Sequence, residues 1–264
     1  MLGAKLGAGR EADVHAWGDA VVKLYRHGVG GHRFEALALT ELDGQGIAPK
    51  LIDTVCWDGR TGLVMERLDG ADMLSVLQQR PWRVLALART LAGTHLTVHR
   101  VQAPATLPGV RELLAARIND AALPSRLRDH ALRVLDGLPD GVSLCHGDLH
   151  PGNVLLTKDR VAVIDWPGAA RGVPEADHAR TRLLLRWADP LPGTSLMSRA
   201  LMTGGRSVFA ESYERAYRRG TSPALPRSDS WLIVHAAARL SEGIDGEHPK
   251  LFAFLDRSWR TATA

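Results

Sequence analysis

The sequence predicts an α+β chain in two lobes: an antiparallel sheet with one main helix over residues 1–68, then a mostly helical part over residues 69–264. Three observations predict it. Short apolar runs separated by turn residues fill the first 66 positions. Beyond Gly70, apolar residues recur mainly at helical intervals. A single hairpin pattern, between Val154 and Ile164, interrupts that helical stretch.

The whole chain sets limits on what such a fold can do. Its 264 residues can bury a substantial core, and 45% hydrophobic with 23% charged residues is an ordinary globular composition. The formal charge of +4 comes from basic residues scattered along the chain, which argues against a nucleic-acid partner. Cys56 and Cys145 make neither a disulfide framework nor a zinc site by themselves, so a reduced, cytoplasmic setting is expected. The first residues lack the apolar core of a signal segment, and no uncharged apolar run reaches membrane-spanning length. A soluble monomer or weak dimer with no membrane partner is the expectation.

Taken in order, the first lobe opens on Gly7-Ala8-Gly9 followed by an alternating run to Trp17. Glycine there gives an ordinary turn, or a loop whose backbone N–H groups can approach phosphates without a Cβ in the way. Gly18-Asp19 marks a turn, and residues 20–25 read as the next strand, with Lys23 between apolar neighbours. Lys23 is either a plain strand lysine or a cation for phosphates that a carboxylate holds in place. Residues 32–42 read as the helix, its apolar face formed by Phe34, Leu37, Ala38 and Leu42. Glu35 on that helix is the candidate carboxylate, with Glu41 as a surface competitor. Residues 50–55 and 61–66 complete the strands around a turn at Trp57–Arg60.

In the second lobe, residues 82–100 read as a long helix with Leu85, Ala88, Leu91, Ala92 and His95 facing the core. Further helices are expected over residues 111–120, 124–135, 176–187, 196–202, 208–218, 231–242 and 249–260. Between them, Val154 to Leu156 and Val161 to Ile164 flank the polar turn Thr157-Lys158-Asp159-Arg160. That hairpin puts Asn153 and Asp165 at one end, with Asp148 on the loop leading in. Mg²⁺ prefers hard oxygen ligands and keeps places for substrate phosphates, which suits Asn153 and Asp165. Asp148 is then left to orient a hydroxyl and accept its proton. Each residue alone reads equally as a turn former; the joint spacing is what points to chemistry.

His146-Gly147-Asp148-Leu149-His150-Pro151-Gly152-Asn153, followed by Ile164-Asp165-Trp166, resembles the aminoglycoside phosphotransferase family of protein-kinase-like small-molecule kinases. Phe34-Glu35-Ala36-Leu37, Ile47-Ala48-Pro49-Lys50-Leu51 and Val64 to Gly70 fit the same pattern, so the resemblance spans residues 6 to about 185. It implies the bilobal protein-kinase-like fold, with ATP and Mg²⁺ as cofactors. By position, Asp148 is the catalytic residue, Asn153 and Asp165 are metal ligands, and Lys23 contacts phosphates with Glu35 as its partner. Gly7 and Gly9 belong to the phosphate loop, the backbone at Glu66 and Leu68 pairs with adenine, and His146 and Asp177 support the catalytic loop. Ala12 replaces a third glycine.

The resemblance implies an ATP-dependent kinase acting on a hydroxyl of an aminoglycoside-like antibiotic or related hydroxylated metabolite. A protein kinase fits less well, because residues 165–177 hold no Ser, Thr or Tyr and no Ala-Pro-Glu follows. A non-catalytic nucleotide-binding module is the other alternative, but none of the residues it would have lost is missing. For a cationic acceptor, Glu242, Asp245 and Glu247 form an acidic cluster among glycines that could hold ammonium groups; an ordinary solvated loop is the competing reading.

Overall fold

The computed structural model describes residues 2–188, 196–221 and 229–263. Strands β1 (Lys5–Ala8), β2 (Ala12–Trp17), β3 (Ala20–Tyr25), β4 (Leu51–Trp57) and β5 (Arg60–Glu66) form one antiparallel sheet in the order β1-β2-β3-β5-β4. Alternation along β3 sets its two faces. Val22 and Leu24 pack with Val64 on the outer face, where Trp17 and Val55 cover them. Lys23 and Tyr25 point the other way, toward helix α1 (Gly31–Glu41). The register places Lys23 opposite Val14 on one side and Leu63 on the other.

Helix α1 buries Glu35, Ala38 and Leu39, with Leu42 just past its end. Phe34 and Leu37, expected on the core face, are only half-buried. The buried stripe is rotated so that Glu35 points inward, an apolar-face reading that an acidic residue conceals.

The remaining elements are β6 (Gly70–Asp72), α2 (Met73–Gln79), α3 (Val84–Val98), α4 (Val110–Asp120), α5 (Ser125–Asp136), β7 (Ser143–Cys145), β8 (Val154–Thr157), β9 (Val161–Val163), β10 (Ala170–Gly172), α6 (Pro174–Trp187), α7 (Leu196–Gly220), α8 (Ser230–Arg239) and α9 (His248–Thr263). The β8–β9 hairpin gains β6 as a third, antiparallel strand, and β7 pairs with β10. Strands β6, β7 and β10 have three residues each, too few to show a period of two. Helix α2 was also absent from the sequence reading; its start is fixed by Asp72, whose Oδ1 accepts the Ser75 N–H at 2.8 Å.

Leu85, expected in the core, is 47% exposed; Leu87 is buried instead. The helices expected over residues 196–202 and 208–218 are one helix, α7. Gly204 and Gly205 each cost a helix about 1 kcal/mol relative to alanine. Burial of Phe209, Tyr213 and Tyr217 at 0–2% exposure outweighs that cost, at roughly 1.5–3 kcal/mol per large apolar side chain. One core joins the sheet, α1, α3 and α7, and a second joins α4, α5, α6, α8 and α9. Among the described residues no helix is long and apolar enough to cross a membrane.

Candidate active site

The β8–β9 hairpin is closed at its base by Ile164 N–H donating to the Asn153 carbonyl at 3.0 Å. This holds the two ends of the hairpin together, with Asp165 one step beyond. Asp165 adopts a left-handed backbone, φ +68°, and its side chain is 46% exposed toward the cleft. A strained conformation at a short polar residue marks a place where the fold holds a side chain out of its ordinary path.

Lys23 reaches this point from the sheet. Its Nζ donates to Glu35 Oε2 at 2.7 Å and to Asp165 Oδ1 at 2.5 Å, across 142 positions of sequence. Burial alone lowers the lysine's pKa; Glu35 and Asp165 together outweigh it and raise it, so the ammonium stays charged. Glu35 is 1% exposed and spends both oxygens. Its Oε2 also accepts from the Tyr25 hydroxyl, and its Oε1 accepts the Trp166 N–H at 3.1 Å. One buried carboxylate thus ties the sheet, α1 and the segment carrying Asp165 into a single unit.

Asp148 is positioned by its own loop and by α6. The His146 ring accepts the Asp148 N–H at Nδ1 (3.1 Å), so its Nε2 carries the proton donated to the Ile164 carbonyl (3.1 Å). That ring is fully buried against Trp166 and bridges the loop to the end of β9. Asn153 Nδ2 donates to the Asp148 carbonyl at 2.9 Å, which turns its Oδ1 away from the loop. Helix α6 presents Asp177, Arg180 and Thr181 on one face, at the spacing that brings side chains together. Asp177 accepts the N–H groups of His146 at 2.7 Å and Gly147 at 2.8 Å. Arg180 donates to the Gly147 carbonyl and to Asp148 Oδ1, each at 3.1 Å. Thr181 donates to the Leu149 carbonyl at 3.0 Å.

Burial raises the Asp148 pKa, but Arg180, His150 and His146 together hold the carboxyl below its ordinary value. Asp148 is therefore ionised at neutral pH. Arg180 occupies Oδ1, while Oδ2 faces His150 Nε2 at 3.7 Å on a side chain 42% exposed. Asp177 is likewise held well below its usual range: burial opposes this, and hydrogen bonds from His95 and His99 overcome it. Nε2 of His95 and of His99 approach Asp177 Oδ2 at 3.0 and 3.2 Å. Their Nδ1 atoms face the Tyr213 and Tyr217 hydroxyls at 2.7 and 2.6 Å. These three donor atoms lie close enough together to suggest a cation site. Hydrogen bonding already accounts for them, since an ionised carboxylate only accepts and each Nε2 donates to it.

The structure brings Lys23, Glu35, Asp148, Asn153 and Asp165 to one cleft, with His146 and Asp177 behind the loop. Gly7 and Gly9 flank the β1–β2 turn; a Cβ at Gly7 would meet nothing within 4 Å, and one at Gly9 only the Ala12 carbonyl at 3.5 Å. Glu66 ends β5, its N–H donating to Lys50 O at 2.9 Å and its carboxylate accepting from Arg160 at 2.6 Å; Leu68 follows in the connection to β6.

The acidic cluster differs from the sequence expectation. Glu247 is 1% exposed and takes a two-pronged contact from Arg239, at 2.7 and 2.9 Å. Glu242 accepts from Arg180 at 2.8 Å and from Arg239 at 2.5 Å. Asp245 is fully exposed. Two of the three carboxylates are thus internal ion-pair partners, and the third is ordinary surface. Arginines from α6 and α8 were read as solvated helix faces, so the pairing was invisible. Arg180 itself was missed; its position three residues after Asp177 on the same helix was the available signal.

The sequence model described as the phosphotransferase enzyme family matches residues 5–231. No curated protein matches the chain. Among solved structures, a thermostable mutant of aminoglycoside phosphotransferase APH(4)-Ia, in ternary complex with ADP and hygromycin B, is 15% identical. Its TM-score is 0.65, over 99% of this chain and 92% of that one. Amicoumacin kinase hAmiN, in complex with AMP-PNP, Ca²⁺ and Ami, is 17% identical with a TM-score of 0.64, over 98% and 88%. A choline/ethanolamine kinase family protein from Mesorhizobium loti is 17% identical with a TM-score of 0.61, over 100% and 87%. At these identities the likeness is one of fold, which is protein-kinase-like.

Proposed function

The chain belongs to the phosphotransferase enzyme family, and from that premise we propose that it transfers the γ-phosphoryl group of ATP to a hydroxyl of a small molecule. Residues 1–68 serve the nucleotide and residues 69–264 carry the catalytic loop and the acceptor. The observation that supports this most is the Lys23–Asp165 contact, because it joins a cation on the sheet to an oxygen ligand at the hairpin end.

The donor set fits Mg²⁺. Asp165 offers an exposed carboxylate, and Asn153 is oriented with its amide oxygen free of the loop, both hard oxygens. When bound there, the ion would bridge phosphate oxygens and neutralise charge on the transferring group. Lys23, kept charged and fixed by Glu35, adds a positive charge beside the phosphates. The open space over Gly7 and Gly9 lets backbone N–H groups approach them. The backbone at Glu66 and Leu68 lies where adenine pairs in this family. Asp148, ionised and held at Oδ1 by Arg180, turns Oδ2 to the acceptor hydroxyl. The hydroxyl oxygen attacks the γ-phosphorus, ADP leaves, and the hydroxyl proton passes to Asp148. A lowered pKa makes Asp148 a weak base, so its main contribution is orientation, with proton acceptance late in the reaction.

Calorimetric titration with AMP-PNP tests the nucleotide half directly. Binding should need Mg²⁺ in the parent and lose most of that dependence in Asp165→Ala. Equal Mg²⁺ dependence in both proteins removes Asp165 from the metal site. Tight binding with no turnover of any acceptor favours a non-catalytic nucleotide-binding module.

A further inference from the structure

The neighbourhood of Asp148 on the acceptor side is rich in guanidinium groups. Glu242 has three arginines within 4.0 Å: Arg180 at 2.8 Å, Arg239 at 2.5 Å and Arg10, from the β1–β2 turn, at 3.9 Å. Arg239 also saturates Glu247. Arg180 and Arg239 are 5% and 7% exposed, built into the protein as partners of these acids. A carboxylate already surrounded by three cations has little attraction left for an incoming ammonium group.

Arg117 is different. It lies on α4, one turn from buried Leu114 and beside buried Ile118, where α4 packs against α8 and the turn holding Glu242. It is half-buried, yet it makes no hydrogen bond or ion pair among the described residues. Burial and the neighbouring Arg180 both disfavour its charge; Glu242, Asp148 and Glu11 offset this from beyond bonding distance. A guanidinium stays protonated regardless, so it carries a desolvation cost with no partner to offset it. Its planar fork matches the two oxygens of a carboxylate or phosphate. Such a residue, facing the reacting carboxylate, calls for an oxyanion.

We propose that the acceptor is a hydroxylated anion whose carboxylate or phosphate is held by Arg117 while its hydroxyl lies at Asp148. The proposal rests on the phosphoryl-transfer reading above. It departs from the cationic acceptor expected from the acidic sequence cluster, whose two buried or half-buried members are spent on arginines.

The test measures ADP release by the intact protein with ATP and Mg²⁺. The acceptor sets are hydroxy acids (D-gluconate, D-glycerate), phosphorylated polyols (glycerol 3-phosphate, glucose 6-phosphate) and cations (choline, hygromycin B). At least one anion should be used with a higher kcat/KM than either cation; which anionic set responds separates carboxylate from phosphate. With that acceptor, Arg117→Gln should raise its KM roughly ten- to hundred-fold, the effect of losing a charged hydrogen-bond pair. Arg117→Lys should recover part of the loss. KM for ATP and the melting temperature should not change, because Arg117 has no internal bond to lose. A cation preferred over every anion, no anion used at all, or an unchanged acceptor KM in Arg117→Gln overturns the proposal. Calorimetry with AMP-PNP and Mg²⁺ is run alongside: absent binding there strikes the phosphoryl-transfer reading itself.

Discussion

Gly147 passes so close to Gly168 that a Cβ on it would stand 2.4 Å from the Gly168 carbonyl oxygen. Its φ of +78° is also one that side-chain-bearing residues rarely adopt. The residue before Asp148 is therefore glycine because two chain segments meet there, the catalytic loop and the turn after Asp165. Gly147→Ala should destabilise the protein by at least about 1–3 kcal/mol from backbone strain alone. It should also lower turnover, since the loop must move. Urea unfolding checks the first; a midpoint equal to the parent's would mean the two segments are not in close contact.

Glu35 should matter more to stability than Lys23. Replacing Glu35 by Ala leaves the Lys23 ammonium, the Tyr25 hydroxyl and the Trp166 N–H without their acceptor. Breaking a buried pair in this way costs about 3–5 kcal/mol. Lys23→Met removes a charge and leaves Glu35 two other donors, so its cost should be smaller. The double substitution should deviate from the sum of the singles by about 0.5–3 kcal/mol. Additive chemical-denaturation energies would contradict the coupling.

The acidic cluster should split. Glu247→Gln disrupts a buried two-pronged pair with Arg239 and should destabilise by about 3–5 kcal/mol. Asp245→Asn, on a fully exposed side chain, should stay within about 0.5 kcal/mol. Comparable melting temperatures for the two variants would mean that Glu247 is not buried against Arg239.

Stability should fall in mild acid. Burial, reinforced by the charge of Arg180, pushes His235 down to about 3, and burial with neighbouring His99 does the same to His95. An unfolded histidine titrates near 6.5. Between those values only the unfolded chain binds the proton. The stabilisation is thus complete above about pH 6.5 and lost as pH falls toward 3, at up to about 1.4 kcal/mol per pH unit for each group. The drop in urea midpoint from pH 7 to pH 5 should be smaller in His235→Leu than in the parent. An equal drop would show that His235 is protonated in the folded protein.

What the sequence made legible follows from how strongly a pattern is repeated. The five sheet strands and the β8–β9 hairpin were readable because apolar residues alternate around clear turns. Strands β6, β7 and β10 are set by pairing with distant strands, which three residues cannot signal. The Lys23–Glu35 pair could be anticipated because one residue lies on a strand and the other on the next helix. Arg180 and Arg117 could not, since a charged residue on a helix ordinarily faces water and only packing shows otherwise. The His95–Asp177–His99 cluster is hidden for a related reason: its members lie 78 and 82 positions apart.

The central claim is that Asp148 orients the acceptor hydroxyl for attack on ATP. Its most direct test is labelled γ-phosphoryl transfer by Asp148→Asn, which keeps the side chain's shape and its acceptor for Arg180. AMP-PNP affinity should match the parent's, while kcat for the identified acceptor should fall by about 10²–10⁴, the usual contribution of a positioned base. A variant that retains most of the parent's kcat would contradict the account.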